Sequence, residues 1–162
     1  MRDNLWLNAV LQELLSGAFS DIERPEQIRI RFGIAAKNRF GSIRWESKKQ
    51  CSSVIINGVF KDLRIPEEIV KATLAHELCH YVHGYGSQLP KKYAHPHQGG
   101  VILKELKARG LEHLHGFERR WSKQIWPGLA RELFHHRLQP RVRRSVRQPS
   151  LATWIRQLVV GF

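Results

Sequence analysis

Five consecutive residues, His76-Glu77-Leu78-Cys79-His80, carry the most specific chemical signal in the chain. On a helix, two histidines four residues apart leave from the same face one turn apart, so both imidazoles can grip one metal ion. Glu77 stands about 100° round from His76, close enough to reach a metal-held water without ligating the metal. The chemistry this division of labour serves is hydrolysis. The metal lowers the pKa of water towards roughly 7, and the carboxylate takes the proton and returns it to a leaving group.

A catalytic site of this type needs a third protein ligand and one open position. The metzincin pattern asks for Gly and His seven and ten residues after His76, but those positions are His83 and Gly86. Glu105 on a following helix is one alternative. His95 and His97, which end a loop just before a helix, are stronger candidates, and helix phase favours His97 because it stands immediately ahead of the expected helix start. Tyr85 and Tyr93 flank the motif in the loop and are candidate donors to the oxyanion of a tetrahedral intermediate. His83 reads as an exposed helix-end histidine, and Cys79 as a small hydrophobe. His113, His115 and the His135-His136 pair read as surface residues.

The elements that must position these groups follow from patterning. Leu7, Leu11, Leu14, Leu15 and Ala18 recur at helical spacing, predicting an amphipathic N-terminal helix. Ile28, Ile30 and Phe32 alternate with Arg29 and Arg31, the period of a half-buried strand. Two further strands are expected around Ile43 and Trp45 and over residues 53–57, and the short gaps favour antiparallel pairing. The last of these is also a candidate edge for a peptide substrate to pair with. Pro66, followed by Glu67 and Glu68, opens the helix that carries the motif, and Gly84 suits its end. A loop over residues 84–96 leads to a second site helix from Gln98 to Arg109. Residues 118–138 read as mostly helical with a break at Pro127-Gly128, residues 139–149 as a basic link and 150–162 as a closing helix.

In this order the chain presents Gly41-Ser-Ile-Arg-Trp45, Val54-Ile-Ile-Asn57, Leu74-Ala-His-Glu-Leu-Cys-His80 and Pro96-His97-Gln-Gly-Gly-Val101. Over roughly residues 5–115 this resembles the SprT-like metallopeptidases, the family that includes Spartan. At the third histidine the chain departs from that family's pattern, with Gln98 where Gly is usual and Val101 where an aromatic is usual. The resemblance implies an α+β, zincin-like fold with a small, mainly antiparallel three-stranded sheet. It also implies a single Zn2+ ion held by His76, His80 and a third ligand, Glu77 as general base and acid, and a protein or peptide substrate. Many relatives act on proteins attached to DNA. The expected division is a metallopeptidase domain over residues 1–117 and a basic helical extension over 118–162.

Charge supplies a second, independent clue. The chain of 162 residues holds 27 Lys and Arg against 14 Asp and Glu, a net charge of +13, and residues 119–162 carry +9 of it. The extension therefore favours DNA or another polyanion, with Arg141, Arg143, Arg144 and Arg147 as candidate contacts. Trp121 and Trp126 are expected to pack on the domain. A rival function of a different class follows: a DNA- or RNA-binding or scaffolding protein with a structural or inactive metal site. Two cysteines, Cys51 and Cys79, allow at most one disulfide and exclude a four-cysteine zinc site. No apolar run approaches the roughly 18 residues of a membrane span, and the expected compartment is the cytoplasm.

Overall fold

The computed structural model describes residues 1–135. The expected basic link, the closing helix and Arg141, Arg143, Arg144 and Arg147 lie outside the described residues. Helix α1 (Asn4–Ser16) starts where the Asp3 carboxylate accepts the Trp6 N–H at 2.8 Å, and it buries Leu7, Val10, Leu11, Leu14 and Leu15. The Asn4 side chain then accepts from Phe32 N at 2.9 Å, tying the start of α1 to strand β1 (Ile28–Phe32).

Strands β2 (Gly41–Glu46) and β3 (Cys51–Ile56) form an antiparallel hairpin across a four-residue turn. Contrary to the expected mainly antiparallel sheet, β1 pairs with β3 in parallel, Ile28 opposite Ser52 and Phe32 opposite Ile56. The sheet is therefore mixed, in the order β1-β3-β2, and β3 is its centre. The expected substrate-pairing edge at residues 53–57 is accordingly occupied on both sides, and the edges are β1 and β2.

The reason lies in residues 33–40, which leave the end of β1, arch over the end of β3 and enter β2. Asn57, at the end of β3 and buried, is the keystone. Its Oδ1 accepts from Ala36 N (3.0 Å) and Val59 N (3.1 Å), while its Nδ2 donates to Ala36 O (2.6 Å) and Arg39 O (2.9 Å). Its own backbone N–H donates to Phe40 O at 2.7 Å. A short gap in sequence thus does not oblige neighbours to pair, because eight residues can skip one strand position.

Helix α2 (Glu67–Val82) is the centre of the core: Ile69, Val70, Leu74, Ala75, Leu78 and Cys79 are almost wholly buried. Pro66 caps it, with Glu67 and Glu68 in the first turn where the dipole favours them. It closes in a Schellman arrangement: Gly84 N donates to Tyr81 O and Tyr85 N to His80 O, with Gly84 at φ 79°, where a side chain would be strained. Helices α3 (Val101–Ala108), α4 (Glu112–Gln124) and α5 (Trp126–His135) complete the described chain.

The expected division after residue 117 falls inside α4. Trp121, Trp126 and Ala130 belong to the same buried cluster as Leu7 and Leu74. Phe40, Phe60, Trp121 and Trp126 meet edge-on or tilted at centroid distances of 5.2–6.4 Å, and Trp126 Nε1 donates to Lys37 O at 3.1 Å. Among the described residues no helix is long and apolar enough to cross a membrane.

Candidate metal centre

Helix α2 brings His76 and His80 to one face, as the i, i+4 spacing requires, with ring centroids 4.8 Å apart. The loop that follows returns and places His97, just before α3, against both of them. Its ring lies 5.4 Å from that of His76 and 4.7 Å from that of His80, and the Nε2 atoms of His76 and His97 are 3.2 Å apart. One ring nitrogen from each of the three lies within 4.8 Å of the others.

Three imidazoles converging on one point are a donor set suited to a borderline metal ion. The fit is good for the closest pair, since ligands about 2.1 Å from a tetrahedral ion stand about 3.4 Å apart. His95 is exposed and outside the cluster.

Burial, and then the neighbouring histidines, hold His76 and His80 neutral: their pKa values fall from 6.5 to about 3 and about 4. Neutral imidazole is the form that ligates. Mutual repulsion among protonated rings at this separation is the second cause, which a metal ion would replace with attraction.

Glu77 lines a cleft of about 330 Å³ together with Asn38, Arg39, Thr73, His76 and Glu118. It is only 6% exposed. Burial, assisted by the Glu118 charge and opposed by Arg39, raises its pKa from 4.5 to about 7. Gly41, the first residue of β2, passes so close that a Cβ there would sit 2.7 Å from Glu77 Oε1 and 2.7 Å from Thr73 Cγ2. The strand can lie over the carboxylate only because that residue has no side chain. A larger groove, about 790 Å³ and lined by Ile34, Leu63 and Leu133 among others, contains none of these groups.

The site candidates Glu105, Tyr85 and Tyr93 take other roles, and His83 departs from its expected exposure. His83 is wholly buried rather than exposed, and its Nε2 lies 3.0 Å from Glu105 Oε2. Glu105 is therefore turned away from the metal cluster. It accepts from Arg109 Nε at 2.8 Å, and Arg109 in turn holds Asp21 and the Ala18 carbonyl. Although burial opposes it, these partners keep the Glu105 carboxyl below its usual range. The Tyr85 ring stands edge-on to His80, but its hydroxyl donates to the Tyr93 carbonyl, and the Tyr93 ring packs against His83 at 4.9 Å. Both cysteines are buried and free, and burial pushes the Cys79 thiol up to about 12.

Sequence reasoning missed two residues of α4. His115 is half-buried rather than on the surface, with a sealed Nδ1 that finds no partner among the described residues, and its charge would oppose that of His76. Glu118 faces Glu77, and burial raises its pKa. A signal was present: Glu118 falls between Leu114 and Trp121 on the buried stripe of α4, where an unpaired carboxylate is out of place. No protein family model, curated protein or solved structure matches the chain.

Proposed function

We propose that the protein is a zinc-dependent metalloendopeptidase of the zincin, SprT-like type. The observation that carries this reading is the convergence of His76, His80 and His97 beside a buried, otherwise unpaired Glu77. Three neutral histidines are the ligand set of catalytic rather than structural zinc, because they leave a position for water or substrate. A divalent ion held there supplies Lewis acidity towards a water molecule and the scissile carbonyl.

The chain's own residues do the rest. Glu77, with a carboxyl that titrates near neutrality, takes the proton of the attacking water and delivers it to the departing amine. Its burial supplies the basicity an ordinary carboxylate lacks, and β2 lies directly over it at Gly41. The substrate is a protein or peptide, including proteins held on DNA, and the working compartment is the cytoplasm. The basic stretch at Arg141–Arg147 is retained in this reading as a polyanion contact that localises the enzyme.

The test is cleavage of an unfolded protein by the full chain loaded with zinc. Glu77→Gln is expected to lower the rate by about 10²-fold or more while one zinc ion per chain is retained. Equal cleavage by this variant refutes the assignment. Zinc retained undiminished after His97→Ala refutes the ligand set.

A further inference from the structure

The sheet has one face packed on the helices and one that is not. Ile28, Phe32, Val54 and Ile56 point into the core with α1 and α2. The residues between them point the other way: Arg29 and Arg31 from β1, Ser53 and Ile55 from β3, Ser42 and Arg44 from β2. Register fixes their pattern. Arg29 and Arg44 both stand opposite Ser53, so they lie about 10 Å apart across the sheet, while Arg29 and Arg31 are about 7 Å apart along β1.

All three arginines are exposed, as is Arg39 on the arch. Arg44 shares Glu46 with Lys49 (3.3 and 2.6 Å), and Glu46 is the acidic residue of these strands. Arg29, Arg31 and Arg39 form no ion pair among the described residues, although the charge of Arg39 acts on Glu77 across the shared cleft. The arch is held firmly. Asn57 takes the Arg39 carbonyl and Phe40 is locked into the aromatic cluster, so the Arg39 backbone is fixed.

Beneath it, Arg31, Arg39, Ser42 and Asn57 line a cleft of about 260 Å³. Arg39, Phe40 and Gly41 form a wall of this cleft and also of the one that contains His76 and Glu77. The basic face therefore adjoins the cleft of His76 and Glu77 across Arg39, Phe40 and Gly41.

We propose that this open sheet face binds the sugar–phosphate backbone of a nucleic acid. Guanidinium groups offer paired donors that match phosphate oxygens, and here they stand in rows on a rigid surface whose carboxylate, Glu46, is already held by Arg44 and Lys49. The face carries no aromatic side chain on which a base would stack, so it reads charge and not sequence. Its large apolar side chains are Ile55, half-buried between the arginine rows, and Ile34 at the rim of the cleft, which form no continuous apolar face of the kind that enters a lipid surface. Binding here is independent of the hydrolytic reading. Where both hold, a protein attached to the nucleic acid is presented one cleft away from Glu77.

The experiment measures affinity of the full chain for a mixed-sequence DNA oligonucleotide, single-stranded and duplex, from roughly 50 to 200 mM salt. Each phosphate contact contributes about 0.9 to the log–log salt slope on duplex. Replacing Arg29, Arg31 and Arg39 together by Gln is expected to flatten that slope by about 2 to 3 and to weaken low-salt binding by roughly tenfold or more. The same loss is expected in a background where Arg141, Arg143, Arg144 and Arg147 are already Gln. Modification of the wild-type chain with phenylglyoxal, read by mass spectrometry, gives a second measurement that needs no variant. DNA is expected to protect Arg29, Arg31 and Arg39 and to leave Arg64 reactive. Unchanged slope on substitution, absence of protection, or dependence of phosphatidylserine vesicle binding but not DNA binding on these arginines overturns the proposal.

Discussion

Replacing Glu77 by Gln is expected to stabilise the metal-free protein while disabling it. The carboxyl is 6% exposed and receives no hydrogen bond within the described residues, so its ionised form is disfavoured and its pKa rises from 4.5 to about 7. Below pH 4.5 the group is protonated in folded and unfolded chains alike and costs nothing. As pH rises from 4.5 to 7 the unfolded chain releases the proton and the folded one retains it, so the Glu77 contribution to stability falls, levelling off above 7. A shift of this size corresponds to about 3 kcal/mol at 1.36 kcal/mol per pH unit. Gln has the same shape and no charge to lose. Urea unfolding of the metal-free chains at pH 5 and pH 8 should therefore show Glu77→Gln gaining about 2 to 3 kcal/mol on the wild type between the two conditions. His76 and His80 titrate in both proteins and cancel in the comparison. Added zinc should shrink the difference, because a nearby cation favours the carboxylate. Parallel stability profiles for the two proteins would show that Glu77 is solvated or paired, and the basis for its role as a base would go with them.

Other consequences follow from the same contacts. Gly41→Ala should cost about 1 to 3 kcal/mol and depress hydrolysis with zinc content unchanged, because the added methyl meets Glu77 and Thr73; normal turnover would show that the carboxylate has room to move. Glu105→Gln should lower stability by about 1.5 to 3 kcal/mol and leave metal stoichiometry intact, whereas His97→Ala should lose metal and His95→Ala should not, as equilibrium dialysis would report. The metal-free protein should lose stability as pH falls from 6.5 towards 4, since His76 and His80 resist protonation only when folded; saturating zinc should move that loss to lower pH, and an unchanged acid midpoint would contradict it.

Much of this was legible in the sequence where the determining interactions are local. The start of α2 at Pro66, its acidic first turn and its stop at Gly84 were written in residue types that act within one helical turn. Helix α3 begins at Val101 and not at Gln98, because Gly99 and Gly100 both have positive φ and open it through a short 3-10 turn. The break between α4 and α5 falls at Ile125, which puts Pro127 in the first turn of α5 and out of a helix interior. His83 was misjudged for a different reason. Its exposure depended on whether α3 would bring Glu105 and Arg109 against the end of α2, a contact spanning 22 residues of chain.

By itself, then, the sequence determined that His76 and His80 share a face with Glu77 beside them, because helix geometry leaves no alternative for residues one and four apart. It also determined that β1 would present arginines on one side and apolar groups on the other, since side chains alternate along a strand. Only the tertiary structure decided that His97 and not His95 or Glu105 joins the pair, that β1 runs parallel to β3, and that Gly41 and Glu118 enclose the carboxylate. Each of those depends on where distant segments pack, and no periodicity within one segment encodes the position of another.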